Sequence, residues 1–239
     1  MPTKEEIRER VWDRLEESGQ ARFPFPPHGR IPNFAGAKEA AERLTGRTAW
    51  QEAETVKANP DAPQLPVRRA ALRAGKTVYM AVPRLREPDC FLRLDPDEIE
   101  DVDHATTVGG SAEVGVQVPP EAVATVDLVV SGSVAVTPGG DRVGKGEGYS
   151  DLEFAVLRAF DLVDDDTPTA TTVHELQVLD GAVGTAPHDV PMDLVVTPER
   201  VVREDRRPKP EGIRWDLVND RLDEIPVLQR LAEEGGFGD

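Results

Sequence analysis

Apolar positions recur along this chain in two alternating rhythms. From Lys4 to Ser18, Ile7, Val11 and Leu15 return every four residues with Trp12 beside them, which predicts an amphipathic helix. Thr3 ahead of it, with Glu6 three residues on, has the capping-box pattern. Phe23 to Phe34 (FPFPPHGRIPNF) holds four prolines and cannot be helix interior, so it reads as an extended connection whose aromatics pack elsewhere. Ala37 to Leu44 reads as a short helix and Lys57 to Pro66 as a turn-rich connection. Val67 to Ala74 reads as a helix stopped by Gly75, and Thr77 to Val82 as a short buried strand. Residues 95–103 are acidic and expected at the surface. Val126 to Val130 and Val134 to Val136 are apolar runs on either side of a small-residue turn. Asp151 to about Leu162 reads as a helix with Phe154, Val156, Leu157 and Phe160 on its apolar side. Thr171 to Leu176 and Met192 to Val196 read as two more buried strands. Strands alternating with helices in this way predict a layered α/β sheet, partly parallel.

Beyond that the rhythm changes. Arg203 to Pro210, with EDRRPKP, reads as a charged linker. Ile213 to Leu231 then offers Trp215, Leu217, Val218, Leu222, Ile225, Val227, Leu228 and Leu231, interrupted by Pro226. This predicts two short amphipathic helices docked back on the domain, with the final EEGGFGD frayed. The chain is thus divided into a domain over 1–203 and a linker with helical tail over 204–239.

Composition narrows the class of protein. Hydrophobic residues make up 38% of the chain, and no apolar run approaches the roughly 20 residues a membrane helix needs. The opening MPTKEEIRER is charged and lacks the apolar segment of a secretory signal, so a soluble cytoplasmic protein without a membrane partner is expected. A single cysteine, Cys90, excludes an internal disulfide and a cysteine-based zinc cluster, and no activating pattern surrounds it. With 45 acidic and 28 basic residues the net charge is −17, spread along the whole chain. A folded protein tolerating such self-repulsion predicts a halophilic, high-salt cytoplasm where screening is strong. The same charge argues against nonspecific nucleic-acid binding, which is built on phosphate neutralisation.

The stretch with most chemistry is Val126 to Asp151. Its apolar runs feed a loop with Gly139, Gly140, Gly144, Gly146 and Gly148, carrying Arg142 and Lys145 and closing on Tyr149 and Asp151. Glycine lets backbone amides approach an anion, and a following helix aims its N-terminus at the same place. Arg142 and Lys145 add positive charge where phosphate oxygens would lie, and Asp151 has the chemistry of a magnesium ligand. The spacing is neither that of a P-loop nor of a dinucleotide fingerprint. A glycine-rich hairpin with solvated charges is the alternative reading of these residues alone. His174, inside an apolar pattern, reads as a core or sheet-end histidine, while His28 and His104 show no ligand spacing. Arg84 and Arg86, just after the 77–82 strand, read either as anion contacts or as solvated loop residues.

An N-terminal helix with K-x-x-x-R, a GK-x-V strand ending in PR, VDLVV followed by G-x-R-x-G-x-G-x-GY-x-D, and the late PHDVPMDLVVTP together resemble the 5-formyltetrahydrofolate cyclo-ligase (methenyltetrahydrofolate synthetase) family. RIPNF and GKGEGYSDLEF look closest to its methenyltetrahydrofolate-synthetase-domain-containing branch. Members of that branch can carry an RNA-recognition domain, for which this chain has no RNP-type aromatics. The resemblance spans about residues 1–203 and implies a three-layer α/β/α sandwich around a mixed, largely parallel sheet. It also implies a ligase that uses Mg-ATP to convert 5-formyltetrahydrofolate to 5,10-methenyltetrahydrofolate, releasing ADP and phosphate.

By the resemblance, Lys4 and Arg8 match the cationic pair presented to ATP, and their spacing places both on one helical face. Arg142, Gly144, Lys145, Gly146, Gly148 and Tyr149 match the phosphate loop, with Arg142 and Lys145 as the catalytic cations. Asp151 and Asp189 match the magnesium carboxylates. The expected partner is a reduced formyl folate or related pterin, bound by a monomer. Several positions depart from the family pattern. Ser150 and Leu152 flank Asp151, and Glu147 places a carboxylate in the phosphate loop, where it would repel phosphate unless it turns outward or binds metal. The folate-binding glutamate is replaced by DAPQLPV, leaving Gln64 or Asp61. These departures favour the runner-up, a non-catalytic nucleotide- or folate-binding protein. A sugar-phosphate or CoA-type enzyme would explain the glycine loop but not Lys4 and Arg8.

Overall fold

The computed structural model describes residues 2–235; Met1 and residues 236–239, the end of the predicted frayed EEGGFGD, lie outside the described residues. Its centre is an eight-stranded sheet. In spatial order the strands are Val201–Glu204, Leu194–Val196, Thr169–Thr172, Leu128–Val130, Thr55–Ala58, Thr77–Ala81, Phe91–Leu94 and Val116–Val118. The five inner strands, from Leu194–Val196 to Thr77–Ala81, pair in parallel. The edge strands on both sides are antiparallel. The mixed, largely parallel sheet expected from the sequence is therefore present.

Successive strand residues point to opposite faces, and the two apolar clusters separate accordingly. Tyr79, Ala81, Val129 and Val195 join Leu152, Val156 and Leu157 of the helix Tyr149–Ala159 on one face. Val56, Val78, Met80, Val130 and Val196 join Leu44, Val67 and Ala71 from the helices Ala37–Thr45 and Leu65–Arg73 on the other. Helix layers thus cover both faces, completing the three-layer sandwich.

Chain order reverses between Thr55–Ala58 and Leu128–Val130: the chain runs from the first to Thr77–Ala81 on one side, then crosses to the second on the other. In an open parallel sheet a crevice forms outside the carboxyl ends of the strands at such a switch. The opening helix, Lys4–Glu17, packs Ile7, Val11, Trp12 and Leu15 against Val134, Ala135 and Val143. Those residues belong to the small hairpin Ala135–Val136/Arg142–Val143, from which the glycine loop hangs. Thr3 and Glu6 form the predicted capping box.

Some elements differ from the sequence reading. Thr55–Ala58, placed by the pattern at the start of a turn, is a fully buried strand at the centre of the sheet. Its four residues include Thr55 and Lys57 and run straight into Asn59–Pro60, so no apolar run announces it. The strand read over Thr171 to Leu176 is Thr169–Thr172. His174 then caps a 3₁₀ turn, Glu175–Gln177, its Nδ1 accepting from the Leu176 amide at 3.1 Å. The helix after the glycine loop begins at Tyr149, two residues early, because Gly148 caps it at φ +72°.

The charged segment after Glu204 lies against the sheet edge. Lys209 is buried and donates to both Asp193 carboxylate oxygens, at 2.8 and 2.6 Å. Arg207 reaches the Asp141 carboxylate at 2.5 Å. Val218, Ile225, Val227 and Leu228 then join the apolar cluster beside helix Tyr149–Ala159.

Candidate functional site

A cavity of about 290 Å³ opens where the switch point predicts it. Asn59 and Asp61 enter it from the end of strand Thr55–Ala58, and Ala81, Val82 and Arg84 from the end of Thr77–Ala81. Gly132 comes from the turn after Leu128–Val130. The opposite wall is the glycine loop with Arg142, Gly144, Lys145, Glu147 and Gly148, followed by Tyr149, Ser150, Asp151 and Glu153 of the helix.

The opening helix clasps this loop from behind. Arg8 Nε donates to the Gly144 carbonyl at 2.8 Å. Gly146, at φ +110°, leaves only 3.3 Å between where a Cβ would lie and the Arg8 guanidinium carbon, so both its backbone conformation and its lack of a side chain are used. Lys4 pairs with Asp189 at 2.6 Å, and Asp189 in turn accepts from the Ala186 amide at 2.8 Å. Asp189 lines a second cleft, of about 160 Å³, which shares Arg142 with the main cavity.

Arg142 and Asp151 lie in contact. Arg142 is buried; its Nη1 donates to the Gly132 carbonyl at 2.9 Å and its Nη2 to Asp151 Oδ2 at 2.6 Å, leaving Nε without a partner among the described residues. Asp151 Oδ1 accepts from the Val190 amide at 3.0 Å. Both carboxylates matched to the metal thus engage the 186–190 segment, each already holding a cation. Among the described residues no group of three His, Cys, Asp or Glu side chains is arranged around a metal position. Magnesium commonly takes one or two carboxylates plus phosphate and water oxygens, so Asp151 at the cavity wall fits that mode of binding.

The carboxylate expected to repel phosphate faces cations instead. Glu147 pairs with Lys145 at 2.8 Å and Arg84 at 3.6 Å. The Lys145 hydrogen bond holds its carboxyl below the usual range. Arg84 and Leu85 adopt φ of +59° and +54°, a strained conformation for non-glycine residues beside a cavity. Arg86 faces away, toward Glu224. Ser150 donates to Ser131 Oγ at 3.2 Å and Leu152 packs into the core. Cys90 is buried, its thiol pushed up to about 12 by desolvation.

At the strand-end pole, Asp61 is half-buried and desolvation raises its carboxyl above the ordinary value. Arg68, buried and drawn down to about 10 by desolvation, pins the turn from below by donating to the Asn59 and Asp61 carbonyls. Gln64 is fully buried behind this wall, and neither its amide nitrogen nor its oxygen has a partner among the described residues.

Two charged residues escaped the sequence reading. Lys57, on the central strand, forms a buried ion pair with Glu153 of the helix and donates to Asn59 Oδ1 at 3.1 Å. A signal existed for Glu153, a lone charge inside the otherwise apolar Leu152–Leu157.

The 5-formyltetrahydrofolate cyclo-ligase family model matches residues 1–198. The mouse methenyltetrahydrofolate synthase domain-containing protein is 43% identical over 237 residues, covering 97% of this chain and 63% of the mouse protein. The human protein of the same description is 37% identical over 235 residues, covering 96% and 61%. The chain thus spans somewhat under two thirds of the length of these relatives. Among solved structures, the Aquifex aeolicus 5,10-methenyltetrahydrofolate synthetase superposes with a TM-score of 0.54 at 19% identity, covering 88% of this chain and 97% of that one.

Proposed function

The chain belongs to the 5-formyltetrahydrofolate cyclo-ligase family, and from that membership we propose that it converts 5-formyltetrahydrofolate to 5,10-methenyltetrahydrofolate at the expense of ATP. The observation carrying this reading is the contact between Arg8 and the Gly144–Gly146 loop, which draws the opening helix to a glycine bend whose Arg142 and Lys145 line one cavity. The formyl oxygen attacks the γ-phosphate and ADP leaves; N10 of the folate then closes on the activated carbon and gives up its proton as phosphate leaves. Such chemistry asks for positioning and charge neutralisation more than for a strong base.

Within this reading Lys145 and Arg84 meet the polyphosphate, exchanging Glu147 for phosphate oxygens. The amides of Gly146, Gly148 and Tyr149 orient the chain of phosphates at the helix N-terminus. Arg142, buried and bound to the Gly132 carbonyl and Asp151, acts chiefly by fixing the loop floor and Asp151. Arg8 holds the loop, Lys4 holds Asp189, and both add positive potential. Asp151, with Asp189 behind it, would hold magnesium, which when bound neutralises phosphate charge. Gln64 and Asp61 belong to the folate side.

The test is the full chain with Mg-ATP and 5-formyltetrahydrofolate in molar salt, following methenyl absorbance and phosphate release together. One phosphate per methenyl product is expected, with Arg8→Ala lowering kcat/KM by about 10–100-fold. Binding of ATP without product would favour the second reading, a nucleotide-binding scaffold. The Glu147 carboxylate on Lys145 and Arg84 is the observation on that side. Absence of ATP binding would overturn both.

A further inference from the structure

The sheet face that carries Lys57 also carries Tyr79, Ala81, Val129 and Val195. A buried ion pair there adds little net stability, since two apolar side chains of similar volume commonly do as well. Its position is what distinguishes it: the pair lies where that apolar cluster meets the cavity, and Glu153 is part of the cavity wall. Lys57 is committed to Glu153 Oε2 and Asn59 Oδ1. Glu153 Oε1 accepts no hydrogen bond from any described residue, and neither does the carboxylate of Asp61. Gln64, fully buried behind the wall, has its unpartnered Oε1 3.1 Å from where a Cβ at Gly132 would lie. This pole therefore presents two carboxylates with open acceptors, Glu153 and Asp61, backed by a spent cation, in a cavity also lined by the apolar Ile31 and Val82. A ligand satisfying it carries N–H donors on the edge of a flat, largely apolar body and no negative charge at that end.

We propose that Glu153, fixed in place by the positioning residue Lys57, is a specificity-determining carboxylate that accepts from the amino-substituted edge of a nitrogen heterocycle. The assignment deepens the cyclo-ligase reading and rests on it for the choice of probe. The carboxylate selects the ring, while the cations of the glycine loop select the phosphates, so the two ends of one cavity discriminate independently.

The experiment measures equilibrium binding of three probes to the full chain: 5-formyltetrahydrofolate, an analogue in which methyl replaces the ring's exocyclic amine, and ATP. The parent protein is expected to prefer the amino form by roughly 10–100-fold, the range of a hydrogen bond to a charged group. The paired variant Lys57→Met with Glu153→Leu, which removes both charges at conserved volume, loses that preference to within about threefold while ATP binding stays within the same factor. Glu153→Gln, keeping a neutral acceptor, retains a preference about 3–10-fold smaller than the parent's, and carries the test should the paired variant fold poorly. A merely structural role would weaken both folate forms alike, and an unchanged preference ratio in Glu153→Gln and in the folded paired variant overturns the assignment with the cyclo-ligase reading intact. Failure of the parent to bind 5-formyltetrahydrofolate at all overturns that reading, and this assignment with it.

Discussion

Arg142 and Asp151 are joined at 2.6 Å, tying the return strand of the small hairpin to the first turn of helix Tyr149–Ala159. The arginine is buried and the aspartate nearly so, and the contact fixes where the glycine loop ends and the helix begins. Substitutions here act on the shape of the loop as well as on its chemistry.

Asp151→Asn is accordingly expected to have two effects. Loss of the charged partner lowers stability by about 1–3 kcal/mol, read by urea unfolding. Magnesium-dependent turnover falls on the order of 100-fold or more, in a protein whose circular dichroism matches the parent's. Full turnover across a magnesium titration would remove Asp151 from the metal site.

Glu147→Gln tests the exchange of carboxylate for phosphate. With Lys145 and Arg84 released from their internal partner, ATP is expected to bind about 3–10-fold more tightly, the range of a partly exposed ion pair. Calorimetric titration decides it; an unaltered Kd would mean that these two cations do not contact the nucleotide.

Asp61 gives a pH dependence with a defined sign. Its carboxyl is raised in the folded protein by desolvation, from an ordinary value of 3.8. Between that value and the raised one, the folded state binds more protons than the unfolded state, so stability declines as pH increases through the window. Asp61→Asn does not titrate. The variant should gain stability relative to the parent above the window, with the gain vanishing below pH 3.8. Parallel stability curves for the two proteins from pH 3 to 8 would contradict this.

The net charge of −17 makes a prediction about salt. Screening relieves the repulsion among excess carboxylates, and the thermal midpoint is expected to rise between 0.1 and 2 M KCl by about 2–4 °C for every kcal/mol gained. Surface ion pairs such as Arg200–Glu175 weaken in the same range. A midpoint that falls with salt would show that those pairs outweigh the excess charge, and the halophilic expectation would fail.

The glycine-loop side of the cavity was legible because most of its parts are local. Arg8 stood out through the family resemblance, and Arg142, Lys145 and the glycines occupy one short stretch whose composition already suggests a bend. The other half was not. Lys57 and Glu153 lie 96 residues apart, and their meeting depends on strand Thr55–Ala58 standing beneath a helix from much later in the chain. That strand is too short and too polar to declare itself, and Phe91–Leu94 and Val116–Val118 passed unnoticed because they too are short. Glu147 was legible in position but not in role, because its pairing with Arg84 requires the end of strand Thr77–Ala81 to reach the loop.

Lys209 is the counter-ion of Asp193, and its nearest neighbours carry the consequence. Asp193 also accepts from the Thr169 amide and the Arg207 amide, so it is a knot between two inner strands and the segment beyond them. A polypeptide ending at residue 203 would keep the family's recognisable sequence yet leave that carboxylate interred without its cation. It would also free Asp141 from Arg207 at the root of the hairpin, and Tyr149 from the Arg221 guanidinium stacked 5.2 Å from its ring centre. Shortening the protein there is expected to lower its unfolding midpoint and loosen nucleotide binding together. The apparent appendage is thereby a brace for the glycine bend, and anything that pulls on it from outside is transmitted to the cavity wall.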